Sequence, residues 1–187
     1  MMTINRRQMM LAGMAVVLGG SGRAGGQNAD MPNEAATTIA GIIASTLKDA
    51  GFTKKKLTWR RERAQSIQIV EVQSSRYGEL AYINLGVYFR ELGSSIAPAL
   101  VDCHVRERLN AVVPAPQRET DLLSFMNEVS LQERQAELPV LMREYGIRWL
   151  EENETLQGAR NRIQRTGRSP LIHDDAVRLF KSESGAP

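Results

Sequence analysis

Between residues 81 and 89, AYINLGVYF, apolar side chains fall on every second position: Ala81, Ile83, Leu85, Val87 and Phe89, with Tyr82, Asn84, Gly86 and Tyr88 between them. Successive side chains of a strand point to opposite faces. This period of two therefore predicts a strand that buries the first set and turns the second set, with Arg90, to the other side of the sheet. Strand character runs over 57–63, 66–74, 80–92 and 100–109. The connections at 75–79 and 93–98 are short and turn-prone, as expected of a four-stranded antiparallel meander. Outside this block the period changes. In EAATTIAGIIASTLKDAG, which begins at Glu34, Ile39, Ile42 or Ile43, Thr46 and Leu47 share one face of a helix that Gly51 ends. After VVPAPQ, Leu122, Phe125, Met126 and Val129 recur at helical spacing. Ser130 with Glu133 then makes a capping box for a helix carrying Leu138, Leu141, Met142 and Tyr145, which Pro139 bends and Gly146 closes. A polar helix is expected over about 151–165 and a short one over 174–180. The order helix, sheet, helices is that of an α+β domain, and no internal repeat interrupts it.

A different pattern precedes the domain. In MMTINRRQMMLAGMAVVLGGSGRAGGQNA, a basic start ending in Arg6 and Arg7 leads into an apolar stretch over 9–18 and then into small residues. It resembles a twin-arginine export signal, with Asn5 and Met9 as departures from that pattern. The apolar stretch is far shorter than the roughly 20 residues a membrane-spanning helix needs. Cleavage between Ala24 and Ala29 would leave residues 30–187 as one α+β domain in a periplasmic or otherwise extracytoplasmic compartment. The leader also changes the reading of charge. The chain carries 24 Lys and Arg against 21 Asp and Glu, and the arginines at 6, 7 and 23 are the only charges in residues 1–29. Acids and bases balance in the remainder, so the overall basicity is no argument for a nucleic-acid partner. One cysteine, Cys103, excludes an intramolecular disulfide, and a buried free thiol is expected.

The blocks GFTKKKLTWRRE, SIQIVEVQSSRYG, YINLGVYF, DCHVRERL and YGIRWLEEN, in that order, resemble the uncharacterised bacterial family catalogued as domain of unknown function 4304. The likeness covers about residues 35–155. It implies a small α+β domain with an antiparallel sheet, and it brings no activity, cofactor or catalytic residue to carry over.

Candidate chemistry has to come from the sheet. The outward set of the central strand, with the polar positions of LVDCHVRERL, defines a recognition face of Tyr82, Asn84, Gly86, Tyr88, His104 and Arg106 for a protein or small-molecule partner. Gly86 would open a notch in that face. The competing structural reading is a face simply solvated or covered by a helix. The enzymatic alternative is a small hydrolase or transferase using Asp102, His104 and Arg106. Cys103 and His104 are strand neighbours facing opposite ways, which argues against a nucleophile–base pair or a shared metal. His173, Asp174 and Asp175 read as a helix start rather than metal ligands. No catalytic, cofactor or metal motif is recognised. The basic runs KKKLTWRRER and ARNRIQRTGR read as solvated edges or helix faces, with Lys54–Lys56 guarding a strand edge and Trp59 packing inward.

Overall fold

Strands β3 (Ser66–Ser74) and β4 (Ala81–Phe89) pair antiparallel along their whole length, from Ser66 opposite Phe89 to Ser74 opposite Ala81. The computed structural model describes residues 34–167 and the backbone of 171–172; the leader, His173–Asp175 and the expected helix over 174–180 lie outside the described residues. β1 (Thr53–Lys55), β2 (Thr58–Glu62), β5 (Val105–Arg108) and β6 (Leu171–Ile172) complete a sheet in the order β1-β2-β3-β4-β5-β6, each strand antiparallel to the next. The meander is as expected, but it has six strands where four are legible. β1 is three exposed residues and β6 two, too short for a period of two to show. Lys54 and Lys55 lie on the edge strand, where they oppose pairing with another chain. Lys56 takes a positive φ of 57°, which lets a two-residue turn connect β1 to β2.

The register sorts the side chains. Ala81, Ile83, Leu85, Val87 and Phe89 sit opposite Ser74, Val72, Val70, Gln68 and Ser66, and Trp59 opposite Val70, so these share the inner face. Against that face lie α1 (Glu34–Ile42) and α2 (Ala44–Asp49), a helix interrupted at the buried Ile43. Ile39, Ile43 and Leu47 enter the core, and Trp59 is buried among them as its alternation with arginines predicts. α4 (Leu131–Leu141), a wider π turn at Met142–Ile147 and α5 (Arg148–Glu152) run on without a break, adding Leu138, Met142, Trp149 and Leu150 to the core. The capping box forms, with the Ser130 hydroxyl accepting from Glu133 N–H at 3.2 Å and the Glu133 carboxylate accepting from Ser130 N–H at 2.9 Å. Gly146 does not end this helix. A Cβ there would collide with the Met142 thioether and come within 3.2 Å of Leu109 Cδ1, so the glycine serves close packing. The polar helix is α6 (Leu156–Thr166), which starts afresh at Thr155, whose hydroxyl accepts Gly158 N–H at 2.9 Å.

Two segments depart further from the pattern. α3 (Pro116–Leu123) stops where the spacing of Leu122, Phe125, Met126 and Val129 would continue it, because Phe125 N–H donates to Glu79 O and Ser124 bridges Leu80. Arg134, 2% exposed, reaches from α4 to hold that non-helical loop, donating to Asp121 O, Leu122 O, Asn127 Oδ1 and Val129 O. Residues 100–104 are not strand: Leu100–Asp102 form a 3₁₀ turn, and only Val105–Arg108 pair with β4. Likewise the stretch after Phe89 becomes a 3₁₀ turn, Arg90–Leu92. One basic run is partly internal as well. Arg61, 5% exposed, donates to Gln68 Oε1 at 2.7 Å and to Ala50 O at 2.9 Å and lies 3.4 Å from Glu151, while Gln68 donates to Leu150 O at 2.8 Å. That network ties the sheet to α5.

Candidate functional site

The outer face of the sheet is divided by its own connection. Ile67, Ile69 and Tyr88 project outward from β3 and β4 and are capped by Leu100 and Cys103 from the segment joining β4 to β5, forming a second, smaller apolar cluster. Gly86 lies beneath that cap. A Cβ there would stand 2.7 Å from Cys103 Sγ and 2.8 Å from Leu100 Cδ1, so the notch the sequence implies exists and the chain fills it itself. Tyr88 is buried, and its hydroxyl accepts Ser95 N–H at 2.9 Å, anchoring the loop that carries the cap. The recognition face expected from alternation is therefore a covered half beside an open half. A loop with a 3₁₀ turn does the covering, not a helix.

His104 belongs to the covered half. Its ring is 4% exposed and packs 4.6 Å from Tyr88 and 5.9 Å from Phe89, with Nδ1 accepting Phe89 N–H at 3.0 Å. Asp102 is exposed, and its Oδ2 accepts Ala99 N–H at 2.8 Å to close the 3₁₀ turn. Both groups hold the connection in shape, and neither lines the groove in which Arg106 sits. Cys103 is buried beside them, and desolvation pushes its thiol up to about 12. A thiol so poorly ionised is a weak nucleophile.

The open half is built by the register. Arg106 sits opposite Gly86 and Arg108 opposite Asn84, so both project outward from one strand, roughly 7 Å apart as i and i+2 residues are. Asn84, 8% exposed, donates to Gln73 Oε1 at 3.0 Å across β3 and β4. Tyr82 is half-buried, and the Arg108 guanidinium lies 4.3 Å from the centre of its ring. A groove runs past Gln73, Asn84, Arg106, Arg108 and Asn110, with one acid, Glu107, on its wall and Leu100 at its covered end. Arginines 61, 63, 90, 118, 148, 162 and 165 each ion-pair a glutamate. Arg106 and Arg108 pair with no acid among the described residues, and Arg106 Nε is out of contact with solvent and has no hydrogen-bond acceptor among them.

Arg108 and Asn110 also line a cavity of about 20 Å³, walled by Tyr82, Ile83, Glu119, Thr120 and Leu123. Glu119 is 3% exposed. Desolvation drives its carboxyl up to about 7, against the opposing pull of Arg108 and Thr120. Sequence reasoning missed this group. The signal is present, since Glu119, Leu122 and Leu123 stand at i, i+3 and i+4 and thus share the buried face of α3. A second groove, by Tyr145, Arg148, Trp149, Glu152 and Arg162, is lined by cations already paired with Glu152.

Among the described residues no group of three or more His, Cys, Asp and Glu is placed to hold a metal ion, and no helix is long and apolar enough to cross a membrane. In comparison with known proteins, a family model described as Domain of unknown function (DUF4304) matches residues 43–152. No curated protein and no solved structure matches the chain.

Proposed function

The chain belongs to the family Domain of unknown function (DUF4304), and from that premise we propose that it is an exported binding domain that recognises an oxyanion, a carboxylate in the first instance, at the open half of its outer sheet face. The observation that carries this reading is the pair Arg106 and Arg108, adjacent on one face and without an ion pair among the described residues in a protein whose other guanidinium groups are so often held by glutamate. A guanidinium offers a planar fork of donors that fits a carboxylate, and two of them beside an amide array can fix its orientation. Asn84 and Gln73 supply that array, and Arg108 is pre-positioned by the Tyr82 ring. The covered half, with Tyr88, Gly86 and His104, serves as the rigid support from which Arg106 projects.

Export rests on the paired Arg6 and Arg7, the short apolar stretch and the small residues after it. The enzymatic alternative at Asp102, His104 and Arg106 draws no support from the geometry, since the first two side chains are occupied in shaping the connection to β5.

Titration of the folded domain with succinate, followed by amide chemical shifts, tests the reading. Saturable shifts centred on residues 82–86 and 106–110 are expected, and they should vanish in the double variant Arg106→Gln, Arg108→Gln while persisting in Arg143→Gln, which alters an exposed arginine elsewhere. Shifts that are absent, or that survive the double variant, would overturn it.

A further inference from the structure

The oxyanion groove adjoins the Glu119 cavity, with Arg108 and Asn110 lining both. At about 20 Å³ the cavity holds one group of the size of a water molecule or an ammonium, since roughly 10 to 15 Å³ is the least such a group needs. Its walls are Leu80, Ala81, Ile83 and Leu123 on the apolar side, with the Glu119 carboxyl, Asn110, Thr120 and Tyr82 as the polar groups. A carboxyl buried to this degree in a largely apolar wall calls for cationic or donor partners, of which the Thr120 hydroxyl supplies one. Among the described residues the one cation on that wall is Arg108, which is stacked on Tyr82 and forms no ion pair with Glu119, though its charge favours the ionised carboxyl.

We propose that the Glu119 cavity is a subsite for the ammonium group of the ligand, so that the domain binds a zwitterion whose carboxylate lies on Arg106 and Arg108 and whose amino group is received by Glu119. This rests on the oxyanion reading of the groove. The cation and the anion sites share Arg108 and Asn110 in their walls, are of opposite sign, and differ in exposure: the arginines reach solvent and the carboxyl does not. The charged or titratable groups facing Glu119 are Arg108 from β5 and Tyr82 from β4, with the Thr120 hydroxyl on its own helix. An ammonium pairs far more strongly with the ionised carboxylate than with the neutral acid, so binding below neutrality releases the proton that burial favours on Glu119.

The experiment uses a ladder of ω-amino acids from glycine to 6-aminohexanoate, each matched to the carboxylic acid lacking the amine, in calorimetric titrations of the domain at pH 6, 7 and 8 in two buffers of different ionisation enthalpy. One rung is expected to bind about tenfold or more tighter than its amine-free counterpart. Its affinity should rise about tenfold from pH 6 to pH 8, with net proton release at pH 6. Glu119→Gln should abolish both the preference and the proton release while leaving the plain carboxylate bound. Equal affinity for every matched pair would overturn the ammonium subsite and leave the oxyanion reading standing. Proton uptake would also overturn it, because Glu119 would then be donating to the ligand. If no carboxylate binds at all, both readings fall together. The proton count is measured on the unaltered protein, so the test does not depend on the variant folding.

Discussion

Glu119 is a buried acid whose chemistry departs far from that of a free side chain in water. An unfolded glutamate titrates near 4.5, and the folded one is held up to about 7, so the folded state binds the proton more tightly. The stability tied to that proton is complete below about pH 4.5 and is lost as pH rises through 7, a loss on the order of 3 kcal/mol by pH 8. Chemical denaturation at pH 5 and pH 8 should therefore show Glu119→Gln matching the unaltered domain at the lower pH and exceeding it at the higher. A variant less stable at both would remove the argument. Surface acids act in the opposite sense: hydrogen bonds from Ser130 hold the Glu133 carboxyl down near 2, which favours folding above the ordinary range and fades in acid. Gly86 invites a second test. Gly86→Ala drives a methyl group into Cys103 and Leu100 and should cost about 1 to 3 kcal/mol; pairing it with Cys103→Ala should restore part of that, as contacting sites do. The Cys103 thiol itself should resist a thiol reagent at pH 8 in the native protein and react on denaturation.

Among the elements, the ones legible in advance are those whose pattern persists over several turns or several alternations. β3 matches its expected span, β4 matches it up to Phe89, and the Ser130 capping box starts α4 where its residues say. One element fails through a contact distant in sequence. The helical spacing after Leu122 is overruled because Ser124 and Phe125 bond to the chain near Glu79, and Arg134 satisfies two acceptors in the loop that results and two carbonyls at the end of α3. Arg134→Met should therefore loosen residues 124–130 and destabilise the domain by several kcal/mol, since each buried acceptor left unpaired costs about 1 to 3. Hydrogen exchange confined to that loop is the signature to look for; protection unchanged there would show that the latch is not what holds it. Gly146 failed as a helix end for a related reason. Glycine signals a stop only where a positive φ is used, and here its lack of a Cβ admits Met142 and Leu109 instead.

For the whole molecule, the two readings that matter most live on different parts of the chain. Replacing Arg6 and Arg7 by Lys should leave a tagged protein in the cytosolic fraction, and unimpaired export in cells lacking the twin-arginine machinery would end the export proposal. Within the domain, Leu85→Ala on the inner face should cost about 2 to 5 kcal/mol, and the buried Tyr88 predicts that Tyr88→Ala is also destabilising, while Arg108→Gln is close to neutral for folding. The α+β class, the antiparallel order of strands, the inner face of β4 and the inward Trp59 follow from the sequence alone, because burial imposes a period of two on a strand and the chain must repeat it to form a core. Which half of the outer face is open was decided by tertiary structure. Alternation says only that Tyr82, Asn84, Gly86 and Tyr88 share a side; it carries no information about the connection from Arg90 to His104 folding back to seat Leu100 and Cys103 over one end of it. The union of Arg106, Arg108 and Glu119 at the other end is of the same kind. They come from a strand and a helix whose meeting depends on where α3 docks against the sheet, and the raised affinity of Glu119 for its proton is a property of that docking rather than of any residue's neighbours in the chain.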